Sequence, residues 1–270
     1  MILTVNHVTT YRYEEPMRGA MQSLRLFPAN FEGQKVLEWE VDVPGGVRGG
    51  SFRDGAGDKV EGWSVRGPLD EVSVTVRGRV DTVDTAGVLR GLREVICPEA
   101  YLRGTKVTEA DLALTDLARS IAAETQEPLD RAHRLADAVA GAIDYVSGST
   151  QSQTSAAEAL AQGKGVCQDH AHALIACALV LDMPARYVSG YLYANKDGKS
   201  EEAAHAWAEI HVPGLGWVGF DAANACCPDE RYIRLGSGFD ARLAAPIRGV
   251  ARGGGAEVME VAVAVVAAQQ

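Results

Sequence analysis

A cysteine that follows a glycine-rich segment is the most chemically suggestive feature of this sequence. Cys167 comes directly after Gly163-Lys164-Gly165-Val166, and an apolar run from Ala171 to Leu181 follows it. A run that is apolar on all sides predicts a buried helix, which Met183-Pro184 would end. Cys167 therefore falls in the first turn of this helix, where free N–H groups and the helix dipole favour a thiolate. The position predicts a cysteine nucleophile.

A cysteine nucleophile needs a base, and the base needs a group that orients it. Residues 203–212 alternate between small or apolar side chains and larger aromatic or charged ones, which predicts a strand with His205 on its polar face. Residues 217–221 predict the returning strand of a hairpin, and this strand ends at Asp221. We therefore predict that Cys167 is the nucleophile, His205 its base and Asp221 the group that orients the base.

The length of the hairpin turn tests this assignment. A two-residue turn would pair Ala208 with Asp221 and place Asp221 on the face opposite His205. A three-residue turn at 213–215 would pair Trp207 with Asp221 and make Asp221 the diagonal neighbour of His205 on one face. The triad hypothesis therefore predicts a three-residue turn or a bulge.

Two alternatives use His170, which follows Cys167 by three positions and so lies on nearly the same side of the helix. One is a hydrolase that uses Cys167 and His170. The other is a metal site built from Asp169, His170 and His172, although this spacing matches no zinc motif. We favour His205, because it alone has an acidic partner on a neighbouring strand, and we expect no metal and no cofactor.

The overall composition bounds the class of protein. The hydrophobic fraction of 47% and the charged fraction of 23% are ordinary for a globular protein. The net charge of −10 argues against nucleic acid and anionic membranes as partners. The most apolar stretches are too short to span a bilayer, and we recognise no secretory signal, so we expect a cytoplasmic protein. The 5 cysteines lack CxxC spacing and predict free thiols.

The hydrophobic periodicity predicts an α+β protein with an N-terminal β region at residues 1–100 and a catalytic domain at 101–270. Glycine-rich turns such as Gly49-Gly50 separate the first strands. The predicted strands outside the hairpin are Ile2–Val8, Val36–Val43, Val72–Val80 and Glu257–Ala268. The predicted helices run from Thr108 to Thr125, from Pro128 to Ile143, from Ser155 to Gln162 and from Cys167 to Leu181.

Four ordered blocks resemble the bacterial transglutaminase-like family. They are Gly-Lys-Gly-Val-Cys-Gln-Asp-His-Ala-His at 163–172, Pro-Ala-Arg-Tyr-Val-Ser-Gly-Tyr-Leu at 184–192, His-Ala-Trp-Ala-Glu at 205–209 and Pro-Gly-Leu-Gly-Trp-Val-Gly-Phe-Asp at 213–221. The first 80 or so residues, with Thr10-Tyr11-Arg12-Tyr13, are similar to the N-terminal region of that family. The resemblance implies a papain-like core, in which a helix bearing the cysteine packs on an antiparallel sheet. It also implies a triad of Cys167, His205 and Asp221, without calcium.

The resemblance further implies acyl transfer from a peptide or amide through a thioester on the cysteine. We expect hydrolysis rather than transfer to an amine, because transfer needs a site that shields the thioester from water. The alternative is a non-catalytic binding module on the same fold. The backbone N–H of Cys167 and the hydroxyl of Tyr145 are the candidate oxyanion donors. The candidate substrate-site residues are Gly165, Gln168, Asp169, His170 and Trp207.

The sequence departs from the family pattern at two places near these residues. Asp221 is followed by Ala222-Ala223-Asn224, where family members commonly have Pro-Thr-Asn. His170 stands where they usually carry an aromatic residue. Neither departure removes a member of the predicted triad.

Overall fold

The computed structural model describes residues 1–193 and 203–267, which form two antiparallel sheets, one short parallel sheet of two strands and one layer of helices. The strands are β1 Ile2–Leu24, β2 Gln34–Asp42, β3 Gly46–Arg53, β4 Lys59–Thr82, β5 Asp144–Tyr145, β6 Lys164–Gly165, β7 Ala185–Leu192, β8 Ala204–Val212, β9 Gly216–Phe220, β10 Tyr232–Gly238, β11 Ile247–Gly253 and β12 Glu257–Ala267. The helices are α1 Leu112–Glu124, α2 Pro128–Ala142, α3 Ala156–Gln162 and α4 Cys167–Val180, with a 3-10 turn at Pro98–Leu102. The α+β class is confirmed.

The larger sheet is built around β1 and β4, which pair along most of their length. Both strands are much longer than the predicted segments, because bulges near Met17 interrupt the alternation that marks a strand in the sequence. The predicted turn at Gly49-Gly50 is wrong. These glycines lie inside β3, an edge strand whose pairing with β4 slips between Arg48 and Ser51.

The end of the chain completes this sheet. Leu24 pairs with Ile247 of β11, and Leu3 pairs with Ala267 of β12. The structure therefore confirms the predicted C-terminal strand as far as Ala267, and Ala268 lies outside the described residues. The all-β region consequently includes strands from both ends of the chain.

The smaller sheet has the order β10-β7-β8-β9, and α4 packs across β7 and β8. The other three helices surround α4, so that Leu174, Ile175 and Cys177 are fully buried. The predicted helix bearing the cysteine on an antiparallel sheet is confirmed. Within residues 1–193 and 203–267, no helix has the length and apolar character needed to cross a membrane.

The start of α1 differs from the prediction by three residues. Asp111 is the N-cap, and its side chain accepts a hydrogen bond of 2.9 Å from the N–H of Leu114. The hydroxyl of Thr108 instead accepts a hydrogen bond of 2.8 Å from the N–H of Thr105 in the preceding turn. Both residue types cap helices well, so composition alone did not separate them.

A buried ionic network joins the two sheets. Glu209 of β8 accepts hydrogen bonds from Arg186 of β7 at 2.6 Å and from Arg234 of β10 at 2.8 Å. Arg234 also contacts Asp58, between β3 and β4, at 2.9 Å. Arg186 contacts Glu94 at 2.6 Å. Glu209 thus neutralises two arginines that have no access to water, and Asp58 anchors the larger sheet to them.

Removing the shared carboxylate tests this network. We expect Glu209→Ala to lower the free energy of unfolding by about 3–5 kcal/mol, because two buried guanidinium groups lose their common counter-ion. The measurement is urea unfolding followed by circular dichroism. Asp130→Ala removes an ion pair with Arg134 that is half exposed, and should shift the midpoint little. Equal shifts in the two variants would contradict the structural role given to Glu209.

Candidate active site

Cys167 is the first residue of α4 and is partly exposed. Val166 is the N-cap, so the sulfur lies at the positive end of the helix dipole. Cys177, ten positions further along the same helix, shows the contrasting case. Its thiol is fully buried and donates to the carbonyl of Leu114 at 3.8 Å, and burial raises its pKa to about 12. Of these two thiols, Cys167 alone combines access with a favourable field.

Asp169 fixes the loop that leads into Cys167. One carboxylate oxygen of this fully buried residue accepts a hydrogen bond of 2.8 Å from the N–H of Val166 and another from the hydroxyl of Thr150. Gly165 makes this approach possible, because a Cβ added there would lie 2.7 Å from the Cβ of Asp169. Asp169 and Gly165, which the sequence proposes as substrate-site residues, are both buried, and they shape the loop before Cys167.

The β8–β9 hairpin has the predicted three-residue turn. Val212 pairs with Gly216, so residues 213–215 form the loop. Gly216 has a φ of 90°, a left-handed conformation that favours glycine. Continuing this register past the end of the sheet brings Asp221 level with Trp207. Asp221 consequently shares a face with His205, as the triad requires.

His205 and Asp221 form a short hydrogen bond inside the molecule. The distance from Nε2 to Oδ2 is 2.6 Å, and the two side chains are 6% and 1% exposed. Burial lowers the pKa of His205. The hydrogen bonds that His205 forms with Asp221 and Cys167, together with the charges of these two groups, outweigh burial and raise the pKa to about 10. Because Asp221 occupies Nε2, Nδ1 is the nitrogen left for the sulfur. The imidazole thus lies between the thiol and the carboxylate.

Further donors hold the carboxylate of Asp221. The amide of Asn224 and the hydroxyl of Tyr232 donate to Oδ2 at 2.7 and 2.8 Å. The backbone N–H groups of Ala223 and Asn224 donate to Oδ1 at 3.1 and 3.3 Å. Burial raises the pKa of Asp221, but the hydrogen bonds and the charge of His205 give a net lowering. The carboxylate stays ionised beside the imidazole.

Sequence reasoning missed both of these side chains. Asn224 follows Asp221 by three residues, and this spacing is a signal of a turn in which the aspartate accepts backbone hydrogen bonds. Tyr232 reaches Asp221 from β10, which pairs with β7 rather than with the hairpin. No local pattern could have indicated that contact.

His170 and Trp207, which the sequence proposes as substrate-site residues, are both buried. The ring nitrogens of His170 lie 2.9 Å from the carbonyl of Val166 and 2.8 Å from that of Ile143. Each ring nitrogen thus faces a backbone carbonyl, and among the described residues no side-chain carboxylate orients this imidazole as Asp221 orients His205. The indole of Trp207 packs beside the imidazole of His205, with 6.4 Å between ring centroids. His170 therefore packs next to the loop before Cys167, and Trp207 packs next to His205.

His172 is also a buried structural residue. Its Nε2 accepts a hydrogen bond of 3.0 Å from the N–H of Ala241, and burial lowers its pKa to about 4. The imidazole is therefore neutral and attached to the backbone. Within the described residues, Asp169, His170 and His172 do not form a group of three side chains that could share one metal ion.

Tyr145 and Gln168 lie on the open side of the site. Tyr145 pairs in parallel with Gly165, two residues before Cys167, and is 44% exposed. Gln168 is half-buried, and its amide donates to the carbonyl of Ser152 at 3.3 Å. Both side chains remain candidates for contact with a substrate.

The fold and the site define a protein with the transglutaminase-like architecture, in which a helix begins at a cysteine and packs on a sheet that carries the histidine and aspartate. The sequence profile of the transglutaminase-like superfamily matches residues 115–222. The profile of the bacterial transglutaminase-like N-terminal region matches residues 3–81. The chain belongs to the bacterial transglutaminase-like family.

Similar proteins cover nearly the whole chain. The uncharacterized protein ML0607 of Mycobacterium leprae is 30% identical over 97% of this chain and 97% of its own length. The uncharacterized protein Rv2569c of Mycobacterium tuberculosis is 32% identical over 91% of this chain and 86% of its own. A crystal structure of a candidate cysteine protease from Cytophaga hutchinsonii has a TM-score of 0.76 and 24% identity, over 100% of this chain and 92% of that one. This likeness confirms the fold.

A methyl group at Gly165 tests how the cysteine loop is held. We expect Gly165→Ala to lower the free energy of unfolding by about 1–3 kcal/mol and to speed hydrogen exchange at the N–H of Val166, because the Cβ displaces Asp169. Gly141→Ala is the matched control. Outside the nearby backbone of α2, no atom lies within 4 Å of a Cβ added there, at the penultimate residue of this helix, so this variant should lose no stability. A Gly165→Ala protein as stable as Gly141→Ala would contradict the packing described.

Proposed function

We propose that this protein is a cysteine-dependent enzyme that breaks an amide bond by acyl transfer to Cys167. The observation that supports this most is the position of His205, whose pKa is raised by the Cys167 sulfur on one side and by the Asp221 carboxylate on the other. This is the order that a nucleophile, a base and an orienting group require.

The proposed cycle begins with a thiolate and an imidazolium. The sulfur of Cys167 attacks the carbonyl carbon of the amide, and the carbonyl oxygen becomes an oxyanion. His205 then gives its proton to the leaving nitrogen, the C–N bond breaks, and a thioester remains on Cys167. Asp221 stabilises the protonated imidazole and keeps Nδ1 directed at the sulfur. The amine departs, and His205 is left as a neutral base.

The second half of the cycle releases the acyl group. A water molecule gives a proton to His205 and attacks the thioester carbon, the C–S bond breaks, and a carboxylic acid leaves while the thiolate of Cys167 and the imidazolium of His205 are restored. We favour water over an amine as the acceptor, since Cys167 lies partly exposed at the surface and transfer depends on shielding the thioester from solvent.

The oxyanion needs donors that are already in place. The N–H of Cys167 is one candidate, because the first N–H groups of a helix have no partner within the helix. The hydroxyl of Tyr145 is the second candidate, since β5 runs beside β6 and brings this residue level with Gly165. Removing one such donor typically costs about 10²–10³-fold in rate.

Trapping the thioester tests the proposed function. Native protein is mixed with a library of simple amides and activated esters, and intact mass spectrometry is used to find an acyl adduct. We expect an adduct on Cys167, its absence in Cys167→Ser, and formation slower by about 10²–10⁴-fold in His205→Ala. Adding hydroxylamine during turnover separates the two acceptors, because a hydroxamate accumulates only if an amine can reach the thioester.

Three results would contradict the proposal. An adduct that persists in Cys167→Ser would place the nucleophile elsewhere. A His205→Ala variant that keeps the rate of the native protein would exclude His205 as the base. A native protein that forms no adduct, and in which Cys167 reacts with iodoacetamide no faster than Cys177, would favour a binding module on this fold.

A further inference from the structure

The larger sheet presents a surface that the proposed reaction does not use. On the outward side of β11, β1, β4 and β3, directly paired residues form rows across the strands. The first row is Arg252–Gly19–Arg66, the second Val250–Met21–Ser64–Val47 and the third Arg248–Ser23–Gly62. We call this surface the arginine face. Its rows alternate between cationic, apolar and cationic side chains.

The apolar side chains of the second row are largely exposed to solvent. Met21, Val47 and Val250 are each 68% exposed, which is unusual for three aligned residues on one sheet. An open groove of about 760 Å³ lies over the first and second rows. It is lined by Met21, Val250 and the arginines at positions 18, 66 and 252. A concave apolar surface that is bordered by charged side chains is typical of a binding site.

The arginines of this face lack acidic partners. Arg66, Arg248 and Arg252 are exposed, and none of them forms an ion pair with a carboxylate in the part of the chain that the structure describes. This is notable in a chain with 36 acidic and 26 basic residues. Like charges that face each other across a sheet repel. Gly19 stands between two of them, so an anion can approach both guanidinium groups at once.

The spacing of the rows identifies the occupant. Successive rows are two residues apart along the strand, or about 6.6–6.8 Å. In an extended peptide, the side chains that face one way are also two residues apart. A segment of the pattern acidic-x-apolar-x-acidic therefore places each carboxylate over an arginine row and the apolar side chain over the middle row. Carboxylates accept paired hydrogen bonds from guanidinium groups, which favours arginine over lysine here.

We propose that the arginine face is a docking site for an extended acidic peptide of the pattern acidic-x-apolar-x-acidic. A nucleic acid would place phosphates over all three rows and leave the apolar row uncompensated, so it fits less well. The site is independent of Cys167, and its presence does not depend on the proposed catalytic activity.

Two labelled peptides of identical composition test the spacing on the native full chain. The first is Ser-Glu-Ser-Leu-Ser-Glu-Ser. The second, Ser-Ser-Glu-Leu-Glu-Ser-Ser, directs its carboxylates away from the face that carries leucine. By fluorescence anisotropy, we expect the first to bind at least about tenfold more tightly, and its binding to weaken as salt is added. Equal affinities, or no binding of the first peptide at low salt, would overturn the proposal.

Variants test the location of the site. Arg66→Gln combined with Arg252→Gln should weaken binding of the first peptide by about tenfold or more, and Met21→Ser by a smaller factor. Arg119→Gln, at an exposed position on α1, is the matched control and should bind as the native protein does. Retained binding in the double variant would place the peptide elsewhere. Tighter binding of an oligonucleotide or of anionic vesicles than of the first peptide would show that the occupant is wrong.

Discussion

The site depends on one buried carboxylate, that of Asp221. Its Oδ2 atom is 2.6 Å from Nε2 of His205 and also accepts hydrogen bonds from Asn224 and Tyr232. A carboxylate without these donors would become protonated when buried. With them it stays charged, keeps a proton on the imidazole and directs the other ring nitrogen at Cys167. The proposed chemistry therefore depends on the negative charge of Asp221.

The rest of the fold holds that interaction in place. The three-residue turn of the β8–β9 hairpin sets which face Asp221 takes. Glu209, four residues after His205 on β8, is fixed by two buried arginines, one of which also binds Asp58 from the larger sheet. Trp207 packs under the imidazole. The ionic network and the hairpin thus fix the position of His205 relative to both sheets.

The hairpin and the places of Cys167, His205 and Asp221 in their helix and strands could be predicted from the sequence, because each rests on a local rule. Helical periodicity placed Cys167, and strand alternation with turn length placed His205 and Asp221. Contacts between elements distant in the chain could not be predicted in this way. Tyr232 reaches Asp221 from β10, and Asp169, a predicted substrate-site residue, packs against Gly165. The full lengths of β1 and β4 were missed because their bulges break the alternation.

The pH dependence of alkylation at Cys167 tests the central claim most directly. Native protein is treated with iodoacetamide from pH 6 to pH 9, and the rate at each cysteine is measured by peptide mass spectrometry. Since the contacts with Asp221 and Cys167 raise the pKa of His205 to about 10, a positive charge stays beside the sulfur through this range, and Cys167 should react faster at pH 6 in the native protein than in His205→Ala. In His205→Ala the rate should be low at pH 6 and climb with pH, as for an ordinary cysteine. Identical profiles in the two proteins would contradict the account.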